Sequence, residues 1–308
     1  MTTMDLPPGM TWLATQVAGH QSDSKKTNIR MIKTNSGCIL KAGQKEALQA
    51  RERSFYEKIK NSDESLHNEL RTFIPKYYGT RELVLENKRI PFIILEDITD
   101  GMIEPCIMDI KIGKRTWDPL ASFEKRAAEE KKYVESKTAY GFCIPGFQVY
   151  DLSSGDLNKF GKDYGKSLNK KTTVEALKMF LNVGENSHKL GLDKILLHQL
   201  INSLKKIESL FKKQNSFRFY SSSILIAYDA HCLRSLRQKM SPNSYCENSV
   251  IDDETNPRFI GESLEEINGL RVKMIDFTHV FEAEDGNVDI NYLAGITSLV
   301  KLLGSLTR

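Results

Sequence analysis

Pro105-Cys-Ile-Met-Asp-Ile-Lys-Ile-Gly-Lys-Arg-Thr-Trp-Asp-Pro119 is the stretch on which the fold of this chain turns. Strand alternation places Asp109, Lys111 and Gly113 on one face and Met108, Ile110 and Ile112 on the other. An acid and a lysine then project together, and a glycine beyond them lets another group approach closely. Phosphoryl transfer uses that combination. A cation offsets the charge of the moving group, while a carboxylate orients a hydroxyl or holds a nucleotide ribose. The same spacing also suits a surface ion pair on an edge strand.

On the N-terminal side of this stretch, residues 28–42 read as a hairpin turning at Asn35-Ser36-Gly37. Residues 45–60 have the apolar spacing of an exposed amphipathic helix, and strands are expected at 82–86 and 91–95. On the C-terminal side, residues 120–136 are dense in Ala, Glu and Lys and predict one helix. Further helices are expected at 174–183, 194–213 and 289–306, and strands at 222–228 and 272–277. In the helix at 194–213, Ile195, Leu196, Leu200, Ile201, Leu204, Ile207 and Leu210 form one apolar stripe. Residues 240–266 read as an acidic loop insertion, and no internal repeat is present. A small β-rich lobe, 1–97, is thus followed by a larger α/β lobe, 98–308, with a cleft between them.

The chain has 308 residues, enough for a large core, and its 40% apolar and 27% charged residues suit a globular protein. A net charge of +4 excludes a histone-like basic wrapper, and nothing requires nucleic acid as a partner. That sum hides a cancellation. Residues 247–266 hold seven acids against Arg258, a local −6, so the remainder carries +10, as befits a body that binds polyanions. The five cysteines (38, 106, 143, 232 and 246) form no Cys-x-x-Cys pair, which points to a reducing compartment, nucleus or cytoplasm. Neither a secretory signal nor a transmembrane run is read, and a monomer is expected.

Other residues fit the same cleft. Asp276, in Met274-Ile-Asp-Phe-Thr-His279, follows an apolar strand, where nucleotide transferases hold Mg²⁺, although Asp also caps strands and turns. His279 suits a phosphate contact or a polar strand end. Lys41 ends a small-lobe strand and Glu52 lies in the next helix, as an ion pair gripping phosphates requires. Glu96, Asp97 and Ile98 follow a strand where a hinge would offer backbone groups to adenine. Lys125 and Lys132, seven apart in the predicted helix 120–136, would point the same way toward a polyphosphate.

Taken together, Pro-x-x-x-Asp-x-Lys-x-Gly at 105–113, Ser-Ser-Ile-Leu at 222–225 and Ile-Asp-Phe at 275–277 resemble, in order, the three motifs of the inositol polyphosphate kinases. The resemblance extends to Gln16-Val-Ala-Gly-His20, Pro75-Lys-Tyr-Tyr-Gly79 and Asp118-Pro119, and within the family it is greatest to the multikinase branch. His-Arg-Asp, Asp-Phe-Gly, Ala-Pro-Glu and Gly-x-Gly-x-x-Gly, the marks of protein kinases, are all absent.

The resemblance implies an α+β, two-lobed, divergent protein-kinase-like fold with an inositol-phosphate-binding segment at 114–136. It also implies an ATP- and Mg²⁺-dependent kinase acting on inositol 1,4,5-trisphosphate through tetrakis- to pentakisphosphate. Lys41, with Glu52, would contact ATP phosphates; Glu96, Asp97 and Ile98 would read adenine. Asp109 would hold the ribose and be required for activity, and Lys111 would bridge the γ-phosphate and the attacking hydroxyl. Ser223 would lie near phosphates and metal, Asp276 would bind the metal, and Lys125, Lys132 and His279 would face the substrate. Ala128 and Glu129 stand where glutamines are expected, and Gln148 where an arginine is. Two alternatives keep the same chemistry: an inositol hexakisphosphate kinase, or a kinase acting on the phosphatidylinositol 4,5-bisphosphate headgroup. A non-enzymatic scaffold would have no need to keep Lys41, Asp109, Lys111 and Asp276 together.

Overall fold

The computed structural model describes residues 6–17, 31–43, 45–183, 192–239 and 269–306. The acidic stretch 240–266, His20 and Cys246 lie outside the described residues.

The first sheet is antiparallel throughout, in the order β1 (Met10–Trp12), β2 (Ile32–Thr34), β3 (Cys38–Ala42), β5 (Lys88–Glu96), β4 (Tyr77–Leu85). The expected hairpin is β2–β3. The strand expected at 82–86 instead starts at Tyr77, and Glu86 leaves it. Glu86 and Asn87 have φ 49° and 60° and form the two-residue turn into β5. Between β3 and β4 lie α1 (Glu46–Asn61) and α2 (Ser65–Phe73). The inward face of α1 buries Phe55, Tyr56 and Ile59, and Glu52 with them.

The second sheet runs β11 (Arg271–Ile275), β10 (Ser223–Asp229), β6 (Pro105–Ile112), β7 (Phe142–Tyr150), β8 (Leu157–Phe160), again antiparallel. The stretch 105–112 is therefore a central strand, which removes the edge-strand reading. Met108, Ile110 and Ile112 enter the main core, as alternation requires, while Ile107 packs with Ile98 and Ala227 on the other side.

The single helix expected at 120–136 is two: α3 (Phe123–Glu130) and α4 (Val134–Tyr140). Tyr133 between them is left-handed, φ 56°, which no helix interior tolerates. The helix expected from 174 begins earlier, as α6 (Lys170–Phe180) after the short α5 (Lys162–Ser167). Asn169 accepts from the Lys171 and Thr172 amides while the Thr172 hydroxyl accepts from Asn169 N–H, so capping sets the start four residues before the apolar pattern. Helix α7 (Leu192–Phe211) buries Leu196, Leu200, Leu204, Ile207 and Leu210 of its predicted stripe. Then come β9 (Phe217–Phe219), α8 (Ala230–Lys239), β12 (Val280–Glu282), which pairs with β9, and α9 (Ile290–Ser305). Among the described residues no helix is long and apolar enough to cross a membrane.

An aromatic cluster joins these layers. Phe277 is wholly buried, with its ring 4.3 Å from Phe55 and 5.3 Å from Tyr56, centroid to centroid. It thereby pins the chain next to Asp276 against α1. Helix α9 reaches the end of β6 through Gly295, where an added Cβ would stand 2.5 Å from Gly141 O and 2.9 Å from Gly113 N. Helix propensity favours Ala over Gly by about 1 kcal/mol. Overpacking against backbone atoms costs roughly 1–3 kcal/mol. Since neither backbone atom can swing aside, Gly295→Ala is expected to lower the midpoint of chemical denaturation; a raised midpoint would show that α9 simply shifts outward.

Candidate functional site

Strand register assembles the site. Across the second sheet Lys111 of β6 pairs with Ser223 of β10, which pairs in turn with Ile275 of β11. Asp276 follows immediately, in a left-handed conformation (φ 63°) that Asp and Asn tolerate better than other side chains. The Ser222 hydroxyl donates to Asp276 O at 2.8 Å, fixing that turn.

Lys41, from the first sheet, meets Asp276 there. Its Nζ lies 2.8 Å from Glu52 Oε1 and 2.5 Å from Asp276 Oδ1. Glu52 Oε1 also accepts from Phe277 N–H at 3.2 Å. Burial opposes the Lys41 charge, but the carboxylates of Asp276 and Glu52 outweigh it and hold the ammonium above its ordinary range. Burial likewise opposes ionisation of Asp276, and Lys41 more than offsets it, so this carboxyl titrates below its ordinary value. The expected Lys41–Glu52 pair is thus part of a triad that spans both sheets.

Asp109, two residues before Lys111, is 5% exposed. Burial, reinforced by the Asp276 charge, pushes its carboxyl up to about 6 against the pull of Lys111. Asp109 and Ser223 are both buried, and a hydrogen bond from the Ser223 hydroxyl works with Lys111 against the burial of the carboxyl. Ser223 therefore sits in the floor of the site. The serine that touches Lys111 is Ser221, whose Oγ accepts from Lys111 Nζ at 2.8 Å and whose φ is also positive, 58°.

At the hinge, side chains are occupied in holding the loop. Asp97 accepts from Thr99 N–H and pairs with Lys33 Nζ at 2.7 Å; Glu96 accepts from Lys76 N–H. Ile98 O accepts from Arg271, whereas the Ile98 amide N–H has no partner among the described residues.

The acceptor side departs most from expectation. Lys125 and Lys132 do not share a helical face, because α3 ends at Glu130. Lys132 Nζ is instead held by Glu129 Oε1 at 2.6 Å. Glu129 O, in turn, takes the buried Lys137 Nζ at 2.7 Å. Gln148 is buried on β7 and donates to Pro105 O. Lys125 is exposed on α3, and its charge is felt by His279. The close approach at Gly113 (φ 100°) is made by the Asn291 amide, not left open for a ligand. Asn291 also bonds Arg115 N–H and O, and the Arg115 guanidinium lies over Trp117 at 3.7 Å and Tyr220 at 4.7 Å.

His279 Nδ1 lies 2.5 Å from Asp118 Oδ2, and Arg51 of α1 reaches Asp118 Oδ2 at 3.8 Å and Thr278 O at 3.0 Å. Sequence reasoning gave Asp118, Arg51 and Ser221 no role. Only Asp118 left a trace, as part of the Asp118-Pro119 resemblance, because the contacts that join the three to Lys111, His279 and Thr278 each span more than a hundred residues. Among the described residues no group of three or more His, Cys, Asp or Glu could hold a metal ion by itself.

Comparison with known proteins follows the same lines. The family model for inositol polyphosphate kinase matches residues 92–304. Inositol polyphosphate multikinase of Mus musculus is 33% identical over 236 residues, 74% of this chain and 57% of the relative. The chain thus spans little more than half the length of that relative. Inositol polyphosphate multikinase IPK2 of Oryza sativa subsp. indica is 27% identical over 303 residues, 94% of this chain and 92% of the relative. Human inositol hexakisphosphate kinase 3 is 31% identical over 227 residues, 71% of this chain and 52% of the relative. The crystal structure of the S. cerevisiae inositol phosphate multikinase in complex with ADP and Mn²⁺ shares the fold, with TM-score 0.63 at 20% identity over 88% of this chain and 99% of that one. This chain belongs to the inositol polyphosphate kinase family.

Proposed function

We propose that the chain is an ATP-dependent inositol polyphosphate multikinase, phosphorylating inositol 1,4,5-trisphosphate through tetrakis- to pentakisphosphate. The observation that carries this reading is the convergence of Lys41, Lys111 and Asp276 from two sheets, with Asp109 on the strand of Lys111. Lys41 steadies ATP phosphates, and Ile98 N–H and the hinge backbone take the adenine. Asp109 holds the ribose. Lys111 bridges the γ-phosphate and the attacking hydroxyl. Because phosphoryl transfer passes through a loose transition state, positioning and charge supply most of the rate.

The residues fit a divalent cation such as Mg²⁺. Asp276 is a hard oxygen donor, and it directly follows Ile275, the strand partner of Ser223. Mg²⁺ bound by one or two carboxylates plus substrate phosphates needs no larger cluster. When bound, the cation neutralises charge on the phosphate oxygens. The ADP and Mn²⁺ of the S. cerevisiae relative support nucleotide and divalent-metal use. Near full-length correspondence with the rice multikinase favours the multikinase reading, while likeness to a hexakisphosphate kinase keeps pyrophosphate formation as the second.

Incubation with ATP-Mg²⁺ and, separately, inositol trisphosphate, inositol hexakisphosphate or phosphatidylinositol 4,5-bisphosphate vesicles, with products resolved, decides between them. Tetrakis- and pentakisphosphate are expected. Products from hexakisphosphate alone would replace the multikinase reading with its rival.

A further inference from the structure

Asp118 lies outside the groups used so far, yet it is among the most constrained acids near the site. It is 3% exposed. Its Oδ1 accepts from Leu120 N–H at 2.9 Å, and Ala121 N–H closes the same turn onto Asp118 O at 3.1 Å. Oδ2 is left to face His279 Nδ1 at 2.5 Å. Arg51 balances the buried charge at 3.8 Å, donates to Thr278 O beside the histidine, and is itself held over the Phe281 ring at 4.4 Å. Aspartate, arginine and histidine come from three separate parts of the chain, so the geometry is a built one. A carboxylate accepts and cannot donate, hence the proton on the facing nitrogen is fixed.

We propose, resting on the acceptor-side reading of His279, that Asp118 is a positioning residue that locks the His279 imidazole in its Nδ1–H tautomer. Nε2, which has no partner among the described residues, then presents a lone pair to the acceptor hydroxyl. Free imidazole side chains favour the opposite tautomer, so the assignment is discriminating. Protonation of the ring is disfavoured as well. Burial first, and then the Lys125 and Lys111 charges, work against protonation and outweigh the pull of Asp118.

The test combines spectroscopy with kinetics. In protein labelled with ¹⁵N-histidine, with His279→Gln identifying the resonance, the wild type is expected to show His279 as Nδ1–H at pH 7.5. Asp118→Ala should release it to mixed tautomers, and Asp118→Asn, which keeps an accepting oxygen, should hold it. In parallel, Asp118→Ala should lower kcat/KM for the inositol phosphate roughly 10–100-fold, the scale on which partners of functional histidines act. KM for ATP should stay within about two-fold. Adding Asp118→Ala to His279→Gln should cost nothing further. An Nε2–H tautomer in the wild type, or losses that add in the double variant, would overturn the proposal. If Asp118→Ala does not fold, the wild-type tautomer alone decides. If the wild type phosphorylates no inositol phosphate, the functional reading fails, and the tautomer still settles the role of Asp118.

Discussion

Lys111→Ala is expected to cut turnover of inositol 1,4,5-trisphosphate by about 10²–10³-fold or more, with the protein still folded. Removing one preorganised donor from a transition state costs that much in other systems, and Lys111 is the ammonium that would contact both reacting oxygens. The fold should survive because Lys111 is only half-buried and, among the described residues, its ammonium donates to one serine side chain, Ser221. The hydrophobic side of β6 is carried by Met108, Ile110 and Ile112. Steady-state kinetics with a denaturation curve on the same preparation checks both halves. Wild-type turnover in a folded Lys111→Ala protein would remove the residue from the chemistry.

Asp276→Asn is expected to have an effect of the same order, through a different route. Asparagine tolerates the left-handed φ of 63°, so the backbone is preserved where alanine would add strain. What is lost is charge. A neutral amide no longer suits a hard cation, and Lys41 keeps only Glu52 as its carboxylate partner. Turnover should fall by about 10²–10³-fold or more. Stabilisation against heat by ATP should lose most of its dependence on added Mg²⁺ or Mn²⁺. Undiminished metal-dependent stabilisation in Asp276→Asn would place the cation elsewhere.

How much of this was legible beforehand depended on the range of the interaction. The strand at 105–112, helix α7 and the Lys41–Glu52 pair could be read because alternation, a helical stripe and a strand-then-helix order are local patterns. The break at Tyr133 could not. Nothing in Lys131-Lys132-Tyr133-Val134 marks a left-handed residue, and the Ala- and Glu-rich flanks favour continuing the helix. The helical face expected to carry Lys125 and Lys132 together ends with it. Ser221 was missed beside Ser223 for a similar reason. Which of three adjacent serines faces a lysine depends on where β10 begins and on a positive φ, not on the residue type. Asp118 and Arg51 meet only because α1 packs against β12 and the chain before it, with Phe55 on Phe277 and Arg51 over Phe281.

The contact between Lys41 and Asp276 has a consequence for any measurement of metal affinity. One carboxylate oxygen of Asp276 is already neutralised from the opposite sheet. Lys41 acts as a resident counterion, which keeps the fold from depending on a metal to quiet the repulsion between Asp276 and Asp109. A divalent cation arriving alone must compete with a charge tethered at a distance of 2.5 Å. One arriving with a triphosphate gives Lys41 a new anion to bind. Cation and nucleotide should therefore enter as a pair, each raising the apparent affinity of the other by the same factor.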